Sequence, residues 1–303
     1  MADNINIYFL GTSASTPTKS RNLTSLLINY RGSNYLFDAS ENVQQQILKT
    51  SQSIQKIKSI FITHFHGDHY YGILGLLSSM SLLKREDELN IYVPFGYKNF
   101  LENFLKAGGI NLSFKINILQ IKSNQKIKID NGVITSVKLD HTVPSYGYCF
   151  KVNNKIGKFN KQKAIKLKIP EGPLFSKLQE GKSIKVDGKV IKPSQVMDLS
   201  FKKQGKKILY FTDTAVLKKH PKFIESPDVL VHECTFLDEE KEKAKLKKHS
   251  SFSEVVSFSK KIKAKELYLV HVSSRYKDLE ANLKNKKNIS LPEDLFSLEI
   301  KDY

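Results

Sequence analysis

Short apolar runs separated by polar breaks dominate the first 150 residues, and their spacing predicts strands alternating with helices. Ile5 to Leu10, Leu23 to Asn29 and Tyr35 to Asp38 read as strands, with Arg31-Gly32-Ser33 as the turn between the last two. Glu41 to Lys49 then reads as a helix, Ile60 to Thr63 as a buried strand and Tyr70 to Leu83 as an apolar helix. A strand over Asn90 to Val93 precedes a helix from Tyr97 to Ala107, which Gly108-Gly109 would stop. Strand pattern resumes over Ser113 to Leu119, and Asp130-Asn131-Gly132 marks a hairpin turn into Val133 to Leu139. After Tyr148-Cys149-Phe150 the apolar periodicity fades into a Lys-dense stretch punctuated by Pro170-Glu171-Gly172-Pro173 and Asp187-Gly188. It returns at Lys207 to Thr212, Val229 to His232, a helix over Phe252 to Ile262 and a strand over Glu266 to Val270. The final thirty residues read as a helix and a loosely ordered tail. No repeat of fixed period is present.

This order is that of an α/β protein. With 303 residues the chain can bury a sizeable core, and one catalytic domain over 1–303 carrying an inserted arm at 151–206 accounts for the change of pattern. The chain contains no apolar run of membrane-spanning length, and Met1-Ala2-Asp3-Asn4 lacks the features of a signal peptide. A cytoplasmic protein with no membrane partner is expected. Cys149 and Cys234 are too few for a disulfide framework and sit in apolar contexts suited to burial. The formal charge of +19 favours polyanionic partners such as nucleic acid. The excess is local: from Lys151 to Lys207 there are sixteen Lys against four acidic residues, a net of +12.

The chemistry concentrates in His64-Phe65-His66-Gly67-Asp68-His69, which follows the strand-like Ile60 to Thr63. Three imidazoles and a carboxylate on a strand-to-helix loop suit zinc or a similar first-row metal. In an extended segment His64 and His66 point the same way, and Asp68 and His69 can turn toward a second ion. Further acidic and imidazole residues stand at predicted strand ends: Asp38, His141, Asp213, His232 and His271. Singly each could be a cap or a hydrogen-bonding group; beside the first cluster they read as candidate ligands.

These segments resemble the metallo-β-lactamase superfamily, and within it the ribonuclease Z family of tRNA 3′-processing endonucleases. The H-x-H-x-D-H signature is common to the superfamily; other segments are narrower. Pro17-Thr18-Lys19-Ser20-Arg21-Asn22 is similar to the family's P-x-K-x-R-N loop, His232-Glu233-Cys234-Thr235-Phe236 to its H-E-A-T-F segment and His249-Ser250 to its H-S-T segment. His141 to Tyr148, His271 to Tyr276 and the Gly172-Pro173-Leu174-Phe175 stretch of the arm, with Lys177 behind it, also match its pattern. Thr212 before Asp213, and Ala39-Ser40 after Asp38, depart from it without removing a ligand.

The resemblance implies a four-layer αββα sandwich with a protruding basic exosite arm. It implies two divalent metal ions per subunit, zinc foremost, one held by His64, His66 and His141, the other by Asp68, His69 and His271, with Asp213 bridging. Asp68 would orient the attacking water or accept its proton, His249 would protonate the leaving 3′ oxygen, and Glu233 would orient His249. Asp38 would support a histidine ligand. Lys19, Arg21 and Asn22, with Gly172, Pro173 and Lys177 of the arm, would bind RNA. The implied reaction removes the 3′ trailer from precursor tRNA, leaving a tRNA 3′-hydroxyl and a 5′-phosphate on the trailer. A homodimer is implied as well, and no other protein partner. A small-molecule metallo-hydrolase of the same superfamily (phosphodiesterase, lactonase or thioesterase) and a non-catalytic RNA-binding scaffold are the rival readings. For the arm, a solvated, disordered insertion is the alternative.

Overall fold

The computed structural model describes residues 4–154, 157–202, 204–276 and 287–301. Strands β1 (Ile5–Gly11), β2 (Ser25–Tyr30) and β3 (Ser33–Phe37) form an antiparallel meander. Arg31 and Gly32 turn between β2 and β3 with φ of 50° and 78°, the left-handed pair that a two-residue hairpin needs. β4 (Ile57–Phe61), β5 (Leu89–Pro94) and β6 (Ile116–Ile121) then extend the sheet in parallel. Helices α1 (Val43–Leu48), α2 (Gly67–Tyr70), α3 (Ile73–Leu82) and α4 (Lys98–Ala107) belong to the connections of this half. The continuous helix expected over Tyr70 to Leu83 is divided after Tyr70. Gly72 lies so close to the Ser40 carbonyl that a Cβ there would come within 1.8 Å of its oxygen, and the Gly72 N–H donates to Ala39 O at 2.9 Å. The break thus docks the segment after Asp38 against the metal-binding loop.

The second sheet begins with the antiparallel strands β7 (Lys126–Ile129), β8 (Gly132–Lys138) and β9 (Tyr146–Val152). The Lys-dense segment follows and is not a structureless loop. It contains β10 (Lys158–Phe159), α5 (Lys161–Lys166), α6 (Pro173–Gln179), the hairpin β11 (Ile184–Val186) with β12 (Lys189–Ile191), and β13 (Met197–Asp198). Ala164, Ile169, Leu178, Ile184, Ile191, Val196 and Met197 are buried together in a core of their own. The apolar residues that build it are scattered between lysines, so no run announces it. The second sheet resumes with β14 (Lys207–Phe211), antiparallel to β9, then β15 (Val229–Glu233) and β16 (Glu266–Val270) in parallel. Helices α7 (Lys241–Lys247) and α8 (Phe252–Lys261) lie between those two strands in sequence.

The chain end departs from the expected tail. β17 (Ile289–Ser290) adds to β16, and β18 (Ser297–Ile300) pairs antiparallel with β1 in the other sheet. Leu298 and Ile300 alternate inward to supply the apolar face that makes β18 a strand. Of the last thirty residues, where a helix and a tail are expected, 277–286 lie outside the described residues.

Alternation along the strands produces four layers. Ile5, Ile7 and Phe9 of β1 meet Ile208 and Tyr210 of β14 between the sheets. Leu209 and Phe211 of the same strand face outward and pack with Phe252, Val255 and Phe258 of α8. On the opposite flank Leu27, Leu36 and Ile60 pack with Val43, Ile73 and Leu101 of α1, α3 and α4. The αββα sandwich implied by the sequence is the observed architecture.

Candidate metal centre

β8, β14, β15 and β16 end at one edge of the second sheet, because β8 and β14 both run antiparallel to β9 and β15 and β16 run parallel to β14, and contacts from Tyr210 and Asp213 to Asp38, His64 and His69 bring the ends of β3 and β4 to the same place. Loops at the carboxyl ends of such strands are where rigid sheets present reactive groups. Asp38 follows β3, His64 to His69 follow β4, His141 follows β8, Asp213 follows β14, Glu233 ends β15 and His271 follows β16. Asp38, Asp213 and His271 take left-handed backbone, with φ of 61°, 44° and 53°. Each such residue carries a conformational cost of order 1 kcal/mol or more, retained where the surroundings enforce the geometry.

Two groups of donor atoms result. His64 Nε2 and His141 Nε2 lie 3.1 and 3.2 Å from the same atom, His66 Nδ1, and Asp213 Oδ2 lies 3.6 Å from His64 Nε2. In the second group His69 Nε2 and His271 Nε2 lie 3.5 and 3.4 Å from Asp68 Oδ2, and 3.1 and 3.2 Å from Asp213 Oδ1. Asp213 therefore faces both groups, one oxygen to each. Six of the eight histidines take part in clusters of this kind.

The donor set fits divalent metal. Buried His69 Nε2 and Asp213 Oδ1 face each other at 3.1 Å without a well-aligned hydrogen bond among the described residues, an arrangement that a cation between them would satisfy. Three imidazole nitrogens meeting at one point is otherwise unfavourable. Burial pushes His64 and His66 below their ordinary pKa, leaving their rings neutral for coordination.

The outer nitrogens are held by the fold. His69 Nδ1 lies 2.8 Å from Asp38 Oδ2. Asp38 is itself fully buried and accepts from the Thr63 N–H and hydroxyl, at 2.8 and 3.0 Å, and from the Tyr210 hydroxyl at 3.2 Å. Thr212, the departure beside Asp213, points its hydroxyl at Thr63 (3.4 Å) and joins this network. Lys248 O lies 3.2 Å from His141 Nδ1. Burial opposes the charged form of His69, yet Asp213, Asp38 and Asp68 around it raise its pKa well above the ordinary value. Burial opposes ionisation of Asp68 too, but His69 and His271 hold its carboxyl well below the usual range. A permanent anion of that kind is suited to binding a cation or orienting water.

Glu233 and His249 form a separate pair beside this centre. His249 Nδ1 lies 2.8 Å from Glu233 Oε1, which leaves Nε2 turned toward the centre, 4.0 Å from Asp213 Oδ2. Glu233 is fully buried and accepts from the backbone N–H groups of Thr214, Thr235 and Ser250. Burial works against the charged form of His249, but Glu233 prevails and raises its pKa to about 9. Residue-type reasoning misses Thr235: its hydroxyl donates to Glu233 Oε2 at 2.6 Å and lies 2.9 Å from His271 Nδ1, joining the two parts. Its only signal is its place in the His232 to Phe236 segment.

The residues expected to bind RNA are not all brought together. Lys19 is exposed and, with Ser13, Ser273 and Tyr276, lines a cavity of about 360 Å³ next to His271. Arg21 Nη1 donates to Thr12 Oγ1 and Pro292 O at 2.6 and 2.8 Å. The Asn22 side chain donates to Glu41 O at 2.9 Å. Gly172 and Pro173 at the start of α6 and Lys177 in its last turn are exposed on the inserted segment. Gly172 holds φ 120° and ψ −135°, a conformation open essentially to glycine alone.

Residues 5–161 match a family model described as "Anti-Pycsar protein Apyc1", and residues 175–272 match one described as "Beta-lactamase superfamily domain". The chain is 38% identical over 301 residues to the ribonuclease Z of Methanosarcina acetivorans, covering 98% of each chain. It is 39% identical over 301 residues to that of Nitrosopumilus maritimus, covering 98% of this chain and all of the other. The crystal structure of human tRNase Z, short form, superposes with a TM-score of 0.66 at 23% identity, covering 97% of this chain and 98% of that one.

Proposed function

The chain belongs to the ribonuclease Z family and is a hydrolytic endoribonuclease of tRNA 3′-end processing, and from that premise we propose how its residues remove the trailer. His64, His66 and His141 would hold one divalent ion and Asp68, His69 and His271 another, with Asp213 between them; zinc suits this donor set. When bound, such a pair supplies positive charge to the phosphodiester and acidifies water. The single observation that carries the reading is the placement of Asp213, with one oxygen facing each histidine group.

The chain's own groups perform the remaining work. Asp68, held as an anion, orients the attacking water. His249 donates a proton from Nε2 to the leaving 3′ oxygen, since Glu233 occupies Nδ1 and keeps the ring charged at neutral pH. Asp38 fixes the ring of His69 through Nδ1. Lys19 contacts the RNA near the cut. Arg21 and Asn22 act indirectly by shaping the loop that bears Lys19.

The segment 151–206 serves as the exosite arm, with Gly172, Pro173 and Lys177 at its contact surface. Lysines presented on a folded support reach phosphates without reading bases, as a substrate recognised by its A-form shape requires. The reading extends to a homodimer in which one subunit's arm serves the other's centre, acting in the cytoplasm. No helix among the described residues is long and apolar enough to cross a membrane.

The test is cleavage of a 3′-extended precursor tRNA by the wild type and Asp68→Ala, with both product ends mapped. One cut near the discriminator base, leaving a 3′-hydroxyl and absent in the variant, is expected. A wild type with bound metal that spares this RNA yet turns over a small phosphodiester would overturn the reading.

A further inference from the structure

The connection between β1 and β2, residues 12–24, touches the metal centre on one side and the end of the chain on the other. The Ser15 N–H donates to Asp68 Oδ2 at 3.1 Å, and Ser13 bridges to Val272, the residue after His271. On the far side stands Asp294. Its Oδ1 accepts from Thr12 Oγ1 at 2.9 Å, and its Oδ2 accepts from the Asn22 N–H at 2.5 Å and from Gln46 Nε2 at 3.2 Å. One carboxylate therefore ties both roots of the loop to each other and to α1. Arg21 ties the loop to the same segment through Pro292 O.

The segment that presents Asp294 is itself fixed. The Leu295 N–H donates to Phe9 O at 2.7 Å, and the Phe9 N–H donates to Phe296 O at 3.0 Å. Leu295 adopts φ 67°, strained for a branched side chain. Burial also pushes the Asp294 carboxyl above its ordinary pKa. The folded state thus favours its neutral form, a stabilisation present below the ordinary carboxylate pKa and lost as pH rises through the raised value.

We infer that Asp294 is a positioning residue for RNA: by joining Thr12, Asn22 and Gln46 it sets the loop that places Lys19 and the adjoining cavity beside the metal centre, where the nucleotide next to the scissile phosphate is received. The inference rests on the assignment of Lys19 to RNA contact made above. Asp294 touches no substrate. Its effect belongs to binding, not to the chemical step.

Steady-state kinetics of Asp294→Ala, Asp294→Asn, Lys19→Ala and the Asp294→Ala/Lys19→Ala double variant test this on two substrates, 3′-extended precursor tRNA and bis(p-nitrophenyl) phosphate. Asp294→Ala should raise KM for the RNA about tenfold, the scale of removing a charged hydrogen bond, with kcat and turnover of the small diester within about twofold of wild type. Asp294→Asn, which keeps one acceptor, should fall between. The double variant should be no worse than the worse single one, because both act through Lys19. An unchanged RNA KM in Asp294→Ala overturns the inference, as does equal loss on both substrates, the mark of a structural role. Wild type that cleaves only the small diester removes the tRNA reading, and this inference with it.

Discussion

The metal centre and the Lys-dense segment place their charged groups by opposite means. In the centre Asp38, His64, His69, Asp213, Glu233 and His271 are buried, and loops at the ends of two packed sheets fix them. In the segment Lys161, Lys163, Lys166, Lys168 and Lys177 are exposed around a small core of seven buried residues. Buried charges interact strongly and tolerate no misplacement, so the centre can perform chemistry. Exposed ammonium groups are individually weak, are screened by salt and adapt to a phosphate backbone. The first region should therefore govern the rate on any phosphodiester, and the second should govern only RNA binding.

Asp68→Ala offers the largest separation. Removing the carboxylate that faces both His69 and His271 should lower kcat on precursor tRNA and on bis(p-nitrophenyl) phosphate alike, by a factor on the order of 10³. RNA affinity, measured by filter binding, should stay near wild type. His249→Ala sharpens the comparison within the centre. A ribose 3′ oxygen needs a proton to leave, whereas p-nitrophenolate does not. RNA cleavage should fall by about 10² to 10⁴, with far less effect on the chromogenic diester. Equal losses on both substrates would assign the His249–Glu233 pair to metal or structure.

Asp38→Asn probes the support for a single ring. It keeps the size of the side chain but weakens the contact to His69 Nδ1, and partners of this kind are worth about 10 to 100-fold in metal affinity or activity. Titration with zinc followed by metal analysis should show one ion weakened more than the other. Equal weakening of both would mean that Asp38 supports the whole loop after β4.

How much of this is legible in the sequence depends on the range of each interaction. His64 to His69 declare themselves because four donors fall within six residues and follow an apolar strand. Asp213, His141 and His271 are legible only as polar residues at strand ends; their convergence depends on two sheets stacking, and the family resemblance had to supply it. The core strands follow from apolar runs, as at Lys207–Phe211. The break between α2 and α3 does not, because it depends on Gly72 meeting Ser40 from another connection. The same holds for Asp294, which reaches across more than 270 residues to Asn22, and for Arg21, whose motif position suggests RNA while its guanidinium binds Thr12 and Pro292. The small core around Leu178 is hidden because lysines interrupt its apolar residues.

The smallest expected effect tests the other side of the comparison. In α5, Ala164 is the buried position and Lys161, Lys163 and Lys166 face solvent, with Lys168 just beyond. Lys161 is paired with Glu171 at 2.8 Å, so its charge is partly neutralised already. Replacing Lys163, Lys166 and Lys168 with Ala leaves the core around Ala164 and Leu178 intact. Each phosphate deprived of its lysine should flatten the slope of log affinity against log salt by roughly 0.7 to 0.9. At moderate salt this amounts to a modest drop in affinity, with kcat on saturating precursor tRNA and turnover of bis(p-nitrophenyl) phosphate unchanged. The slope is the discriminating quantity, because a disturbed fold would weaken binding without changing the number of ions released. A slope equal to that of wild type would place these lysines off the RNA path and leave recognition to the loop that carries Lys19.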